Sequence, residues 1–220
     1  MMKKVLFLAF AIIASLNASA QYREGTLSLQ PKTGALFANL TNMPKMPVFE
    51  DVDLDSKVFP GVLFGGELEY QLTDMVGLAA GLNYSLQGGK WKDYHNAAGA
   101  IKDVKIELGY INVPLVVNVY LYKGLAVKTG LQVGFMTNAK MKGIIEDANV
   151  VLPLSDNYLD DCNTIDLSIP FGLSYEFDGH VVLDARYMLG LTNVNKDELI
   201  ADRKMKNSIF MLTVGYKIDL

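Results

Sequence analysis

Few side chains in this 220-residue sequence could carry out catalysis or bind a metal ion. The only histidines are His95 and His180, and Cys162 is the only cysteine. A zinc site needs several nitrogen or sulfur ligands at short, regular spacing, which these three residues do not offer. The sequence also has no phosphate-binding glycine loop and no Gly-x-Ser-x-Gly nucleophile motif. It therefore predicts no catalytic residue, no cofactor and no metal site.

Carboxylates two residues apart are the best remaining candidates for acid–base chemistry. Glu67 and Glu69 share one face of a predicted strand. A structural role is the stronger interpretation, because charges facing the inside of a protein must be paired, and other predicted strands carry matching cations. We therefore predict a network of charges inside the molecule. Its predicted members are Glu67, Glu69, Lys128, Asp166, Glu176, Asp184, Arg186 and Lys217.

A second acidic group alternates with other residues in the stretch after Glu50. Asp51, Asp53 and Asp55 have the spacing of ligands in a calcium-binding loop. The glycine and the terminal glutamate of an EF-hand loop are missing, however. We interpret these residues as a solvated surface.

The predicted network lies on segments with a strict two-residue repeat. Two such segments, in the range 110–140, flank a tight turn at Tyr122, Lys123 and Gly124. One face of each segment is apolar, and the other carries polar or small residues such as Asn112 and Lys128. This periodicity is typical of strands, and both segments are longer than the usual ~5–6 residues. They predict a long hairpin with an apolar outer face and a polar inner face.

The same unit recurs along the chain and predicts about eight strands. The predicted ranges are 25–38, 58–71, 75–87, a fourth strand that ends at 121, 125–140, 165–177, 181–191 and a last strand around 210–218. Short turns near Thr73, Lys123 and Gly179 alternate with long loops, 39–57, 88–104, 141–163 and 192–206. Short periplasmic turns and long extracellular loops are typical of transmembrane barrels. Candidate interfacial aromatic residues are Tyr70, Tyr84, Trp91, Tyr120, Tyr122, Tyr175, Tyr187 and Tyr216.

The first twenty residues have the pattern of a cleaved signal peptide. Lys3 and Lys4 precede an apolar stretch, and Ala18-Ser19-Ala20 is a small-residue cleavage site before Gln21. We therefore predict a signal peptide at 1–20 and a barrel domain at 21–220. No later apolar run reaches the ~18 residues of a membrane helix, so any membrane span must use strands. The formal net charge of −4 and the lack of a basic stripe argue against nucleic acid as a partner.

The sequence therefore predicts an all-β fold, a transmembrane antiparallel up-and-down β-barrel preceded by a signal peptide, in the outer membrane. A soluble, lipocalin-like barrel that binds a small ligand shares the same periodicity and stays open as an alternative. The polar face favours the membrane, because its many glycines suit a narrow lumen better than a solvent-facing strand surface. An exported chain with a single cysteine has no intramolecular disulfide.

Several segments resemble the PorT-like family of outer-membrane β-barrel proteins of the Bacteroidetes. They are GLNYSLQGGKW, YINVPLVVNVYLYKGLAVKTGLQVGFM, FGLSYEFDG, LDARYMLGLTNV and the final GYKI. Family members commonly end on an aromatic residue, where this chain has Ile218-Asp219-Leu220. The resemblance implies a barrel of about eight strands and no particular reaction. One family member serves in a protein secretion system.

The leading functional hypothesis is a small barrel with a packed polar lumen. Such a barrel would act through its extracellular loops or as an accessory of an envelope or secretion complex. The expected partners are outer-membrane lipid, the barrel-assembly machinery and envelope proteins. A narrow porin-like pore past Glu67, Lys128 and Arg186 is the first alternative. An enzyme acting on lipid is another, but we find no convincing pair of nucleophile and base for it.

Overall fold

Eight long antiparallel strands make up most of the protein. The computed structural model describes residues 23–43, 46–49, 52–95, 99–122, 124–147, 150–157, 159–178, 180–196 and 204–220. The predicted signal peptide lies outside these residues. The long strands are β1 (Leu27–Leu40), β2 (Phe59–Thr73), β3 (Val76–Trp91), β4 (Gly99–Tyr122), β5 (Leu125–Asp147), β6 (Ile165–Glu176), β7 (Val181–Gly190) and β8 (Asn207–Tyr216).

The eight strands form a closed ring. Each strand pairs with the next along the chain, and β8 pairs with β1 from Lys32↔Gly215 to Leu40↔Asn207. The short strand Ile218–Asp219 continues this closing contact on β1. Closure leaves no open sheet edge in the ring, which a span through lipid requires. The predicted antiparallel up-and-down barrel is confirmed.

The outer face of the ring is apolar. Among its most exposed side chains are Leu82 at 61%, Leu131 at 60% and Phe64 at 57% of their surface. A soluble barrel would turn such residues inward, so the lipocalin-like alternative is wrong. The end with the short turns carries a ring of exposed aromatic side chains, as at membrane interfaces. They are Tyr70, Tyr122, Tyr175, Phe177 and Tyr216.

Two residues predicted for such a ring face the interior instead. Trp91 and Tyr120 are each only 5% exposed. Tyr120 lies on the inward parity of β4, between the outward residues Val119 and Leu121. Trp91 lies beyond the apolar part of β3, where the barrel continues above the membrane.

The strands extend further at the other end than the sequence predicts. The strands β4 and β5 have 24 and 23 residues, against the ~9–11 that cross a membrane. The predicted loops 88–104 and 141–163 are therefore partly strand. Irregular register between Lys102 and Lys105, and again between Gly109 and Tyr110, interrupts the pairing and hides the period-two signal.

Short strands widen this region at its edges. They are Ser56–Lys57 beside β3, Tyr94–His95 beside β4, and Val150–Asn157 beside β5. We call these strands, together with residues 88–91, 99–109 and 138–147, the extracellular extension. We assign this region to the extracellular side of the membrane, because the long connections of such barrels are extracellular. Met46–Phe49 and Val52–Leu54 form a separate small hairpin.

Helical structure is minimal in the described ranges. Leu159–Asp161 forms one turn of 3-10 helix. No helix there is long and apolar enough to cross a membrane.

Candidate functional site

The middle of the lumen holds a compact ionic network. Arg186 donates to both oxygens of Glu67, from Nη1 at 2.7 Å and from Nη2 at 2.8 Å. It also donates from Nε and Nη2 to the carboxylate of Asp184, at 2.6–3.0 Å. Lys32 donates to Glu67 at 2.5 Å, and Lys128 donates to Asp184 at 3.0 Å. We call these five residues the central network.

The ring brings these side chains together from separate walls. Lys32 comes from β1, Glu67 from β2, Lys128 from β5, and both Asp184 and Arg186 from β7. All five are at most 5% exposed. Because ions this deeply buried need full hydrogen bonding to offset lost hydration, the dense bonding accounts for their stability inside the barrel.

Glycines on neighbouring strands make room for the long side chains. Gly81 is the register partner of Glu67, and a Cβ at Gly81 would stand 2.7 Å from Glu67 Cγ. Gly172 is the partner of Arg186, and a Cβ there would stand 2.6 Å from Arg186 Cγ. Real Cβ atoms do not approach this closely. The small inward residues are therefore part of the site.

A second ionic cluster lies nearer the short turns. Tyr120 donates to Glu69 at 2.5 Å, and Lys217 donates to the Tyr120 hydroxyl at 3.0 Å. Lys217 also lies 3.4 Å from Glu69 and 3.7 Å from Glu176. His180 in the turn after β6 lies 3.5 Å from Glu176. We call Glu69, Tyr120, Lys217, Glu176 and His180 the lower cluster.

Charges in the two groups balance when His180 is neutral. The cations are Lys32, Lys128, Arg186 and Lys217, and the anions are Glu67, Glu69, Glu176 and Asp184. A balanced, mutually bonded set has little free charge with which to attract a solute. Its arrangement favours holding the walls together over selecting an ion.

The structure separates one predicted member from the rest. Asp166 lies near the other end of β6 and accepts a hydrogen bond from Thr192 at 2.8 Å. The other seven predicted residues fall into the central network and the lower cluster. Within the central network, Lys128 pairs with Asp184.

Sequence reasoning missed three participants: Lys32 and Tyr120 inside the lumen, and His180 in the turn after β6. Lys32 lies in the same two-residue alternation as the inward-facing residues of β1, and this alternation could have placed it in the lumen. Tyr120 shares the polar face of β4 with Asn112 and Asn118. In both cases the sequence does not show which residue is the bonding partner, because that residue comes from a strand remote in sequence.

Apolar side chains predominate in the other half of the lumen, beside a few buried polar ones such as Ser85 and Asn207, so the prediction of a polar lumen holds mainly for one half. Along β1 the inward residues change from Gln30 and Lys32 to Leu36, Ala38 and Leu40. One buried cluster comprises Leu36, Ala38, Phe59, Leu63, Met188, Ile209 and Met211. A second, toward the extracellular extension, comprises Leu40, Met43, Trp91, Val104, Leu108, Tyr110, Met136, Ala139, Cys162 and Val194. We call the two together the apolar plug.

Little in the sequence pattern indicates this plug. Several of its residues, such as Trp91 and Cys162, come from stretches that were predicted as loops. Leu36 and Leu63 have apolar neighbours on the opposite face, so alternation alone does not assign them to the interior. Only the closed ring shows which face each one takes.

The described side chains of the lumen form no arrangement suited to a metal ion. Within the described ranges, no group of three or more His, Cys, Asp or Glu side chains could hold one. The aspartates considered as calcium ligands belong to the stretch 51–55. Asp51 lies outside the described residues, and Asp55 pairs with the exposed Lys92 at 3.0 Å.

A closed ring of eight antiparallel strands, apolar outside and ionic within, defines a small transmembrane β-barrel. Residues 18–196 match the family described as outer membrane protein beta-barrel domain. The protein belongs to this family and lies in the outer membrane. A comparison with curated proteins found no match.

Solved outer-membrane barrels are similar to it. The attachment invasion locus protein Ail of Yersinia pestis is 14% identical over 89% of this chain and 100% of that chain, with a TM-score of 0.44. Neisserial surface protein A is 14% identical over 89% and 99%, with a TM-score of 0.42. OprG of Pseudomonas aeruginosa is 13% identical over 90% and 98%, with a TM-score of 0.42.

Proposed function

We propose that this protein is a closed outer-membrane barrel that acts by binding, through its extracellular extension, and that it conducts no solutes. The observation that carries the proposal is the double obstruction of the lumen. The central network crosses one half, and the apolar plug fills the other. Small barrels of about eight strands generally fill their interior with side chains, which supports this interpretation.

The pore alternative needs a continuous path for water past Glu67, Lys128 and Arg186. Each of these side chains is only 2% exposed and is bonded to a neighbour. Above them a solute would also have to displace apolar side chains such as Leu36 and Met188. The geometry therefore favours a binding role over transport.

Planar lipid bilayers test this choice directly. We expect the purified, folded protein to give no single-channel currents above those of lipid alone, beside a general porin as positive control. Stable currents would contradict the proposal, and a change in their ion selectivity in Glu67→Gln would establish the pore alternative. A heat-dependent mobility shift on a denaturing gel shows that the inserted protein is folded.

The resemblance to the PorT-like family extends this proposal to a protein partner. In this view the extension contacts an envelope or secretion complex, while the barrel serves as its anchor in outer-membrane lipid. A deletion strain should lose secreted cargo, and the full-length gene should restore it. A variant without residues 150–157 keeps all eight ring strands and should not restore secretion. Normal secretion in the deletion strain would contradict the accessory role.

We further propose that the barrel-assembly machinery inserts this chain, since all backbone groups in lipid must be paired by ring closure. Depletion of that machinery should reduce the heat-modifiable form in outer-membrane fractions. An undiminished amount of this form would contradict the proposal.

A further inference from the structure

Four lysines form a continuous row across the extracellular extension. Lys57 is the register partner of Lys90, Lys90 is the partner of Lys105, and Lys105 is the partner of Lys142. The row thus crosses four neighbouring strands, from Ser56–Lys57 through β3 and β4 to β5. We call it the lysine row. Directly opposed residues of antiparallel strands share one face of the sheet, so all four side chains start from the same face.

This face is the outer one. The chain neighbours of three row members point into the interior: Trp91 after Lys90, Val104 before Lys105, and Gly143 after Lys142. Trp91 and Val104 are buried in the apolar plug, and a Cβ at Gly143 would stand 3.1 Å from the Val104 side chain. Because successive side chains alternate between faces, the lysines point away from the lumen.

The described part of the chain compensates the charge of the row only in part. Asp103 accepts a hydrogen bond from Lys90 at 2.6 Å. Glu107 lies 3.0 Å from Lys105 and 2.5 Å from Lys142. Asp93 also interacts electrostatically with Lys90. Among the described side chains, three carboxylates therefore lie near the four ammonium groups, and the exposed Lys140 adds a further cation as the register partner of Glu107. Like charges directly opposite each other destabilise a sheet, so an external anion would relieve a real repulsion.

The row lies just beyond the apolar belt of the barrel. Val58, which follows Lys57, is 49% exposed. On β3 the outward Leu86 precedes Lys90 by four residues, and on β4 Ile111 follows Lys105 by six. At ~3.3 Å per residue these spacings are roughly 13 and 20 Å along the strand, and less in height because the strands tilt. The row therefore rises obliquely from the headgroup level of the outer leaflet.

We propose that the lysine row binds the phosphate groups of a phosphorylated glycolipid of the lipopolysaccharide type in the outer leaflet. Such a lipid places acyl chains against the apolar belt and phosphorylated sugar above it, in the order in which the barrel presents apolar side chains and lysines. The oblique row matches phosphates at more than one height better than a single layer of phospholipid headgroups. Lysine acts on phosphate as a mobile point charge, which suits a fluid lipid. This inference does not depend on whether the lumen is closed.

The test uses the full-length mature protein in nanodiscs of zwitterionic phospholipid, with binding of fluorescent lipopolysaccharide as the readout. One variant replaces all four row residues by glutamine, K57Q/K90Q/K105Q/K142Q. The matched control has the same change of charge at four lysines outside the row, K92Q/K196Q/K204Q/K206Q. A heat-dependent mobility shift verifies that both variants are folded.

We expect the row variant to bind at least about tenfold more weakly than the unmodified protein, and the control variant to stay close to it. Enzymatic removal of the phosphates from the glycolipid should weaken binding to the unmodified protein by a similar factor. Equal loss in the row and control variants would overturn the inference, and so would unchanged binding of the dephosphorylated glycolipid. Equally tight binding of the anionic phospholipid phosphatidylglycerol would overturn the assignment to a glycolipid.

Discussion

Arg186 and Glu67 join two walls of the barrel that are not neighbours in the sheet. Their paired hydrogen bonds, at 2.7 and 2.8 Å, link β7 to β2, and the two residues are 119 positions apart in the sequence. The strands β8 and β1 separate the two walls along the ring. The contact therefore exists only after the ring has closed, and it acts as a brace across the lumen.

Removing this brace should destabilise the barrel strongly. In Arg186→Met the carboxylates of Glu67 and Asp184 lose their shared partner while they stay buried, and breaking such a pair costs about 3–5 kcal/mol. We expect a loss of that size in the free energy of unfolding, measured by urea titration in lipid vesicles. Lys92→Met serves as control, because its ion pair with Asp55 is exposed and should contribute no more than ~1 kcal/mol. Equal effects of the two substitutions would contradict the bracing role.

The glycine opposite Arg186 should not accept a methyl group. A Cβ at Gly172 would stand 2.6 Å from Arg186 Cγ and 2.5 Å from the Ala185 carbonyl oxygen. We expect Gly172→Ala to reduce the free energy of unfolding by about 1–3 kcal/mol, as overpacking does. In Gly66→Ala the nearest atom would be 3.4 Å away, so this control should stay close to the unmodified protein. A neutral Gly172→Ala would show that the wall has more freedom than the geometry indicates.

The fluorescence of Trp91, the single tryptophan, reports on the packing of the apolar plug. Trp91 is 5% exposed and packs among Leu40, Met43 and Leu108. We expect blue-shifted emission in the folded barrel and weak quenching by iodide. Unfolding in urea should shift the emission to that of solvated tryptophan and make quenching by iodide strong. Strong quenching in a barrel that is still heat-modifiable would mean that the extracellular mouth is open to water.

The pair Lys90–Asp103 predicts a pH response outside the membrane. The hydrogen bond from Lys90 lowers the pKa of the exposed Asp103 below its usual 3.8, and the same bond raises the pKa of Lys90 above 10.5. For Asp103, the stabilisation is complete above its usual pKa and is lost as the pH falls through the lowered value. For Lys90 it is complete below its usual pKa and is lost as the pH rises through the raised value. In Lys90→Met, NMR titration should show the Asp103 pKa returning toward 3.8, and an unchanged pKa would contradict the contact.

Much of the barrel could be predicted because a strand exposes its two faces alternately. The alternation in the sequence predicts that Leu131 faces outward and Lys128 inward, and both residues do so in the closed ring. The extracellular extension was harder to predict, since register shifts at Lys105 and Tyr110 interrupt the alternation. Without the alternation, a paired strand in this region looks like a polar loop.

The sequence by itself determined the class of protein, the number of ring strands and, where polar and apolar residues alternate clearly, the side of the wall that a residue faces. These are local properties, set by the two-residue repeat and by the lengths of the connections. Only the tertiary structure decided which charges meet, that Lys32 joins Glu67 and Asp166 stays apart, and that half of the lumen is apolar. Contacts across a lumen depend on ring closure and on the stagger between strands, and neither is encoded within a single strand.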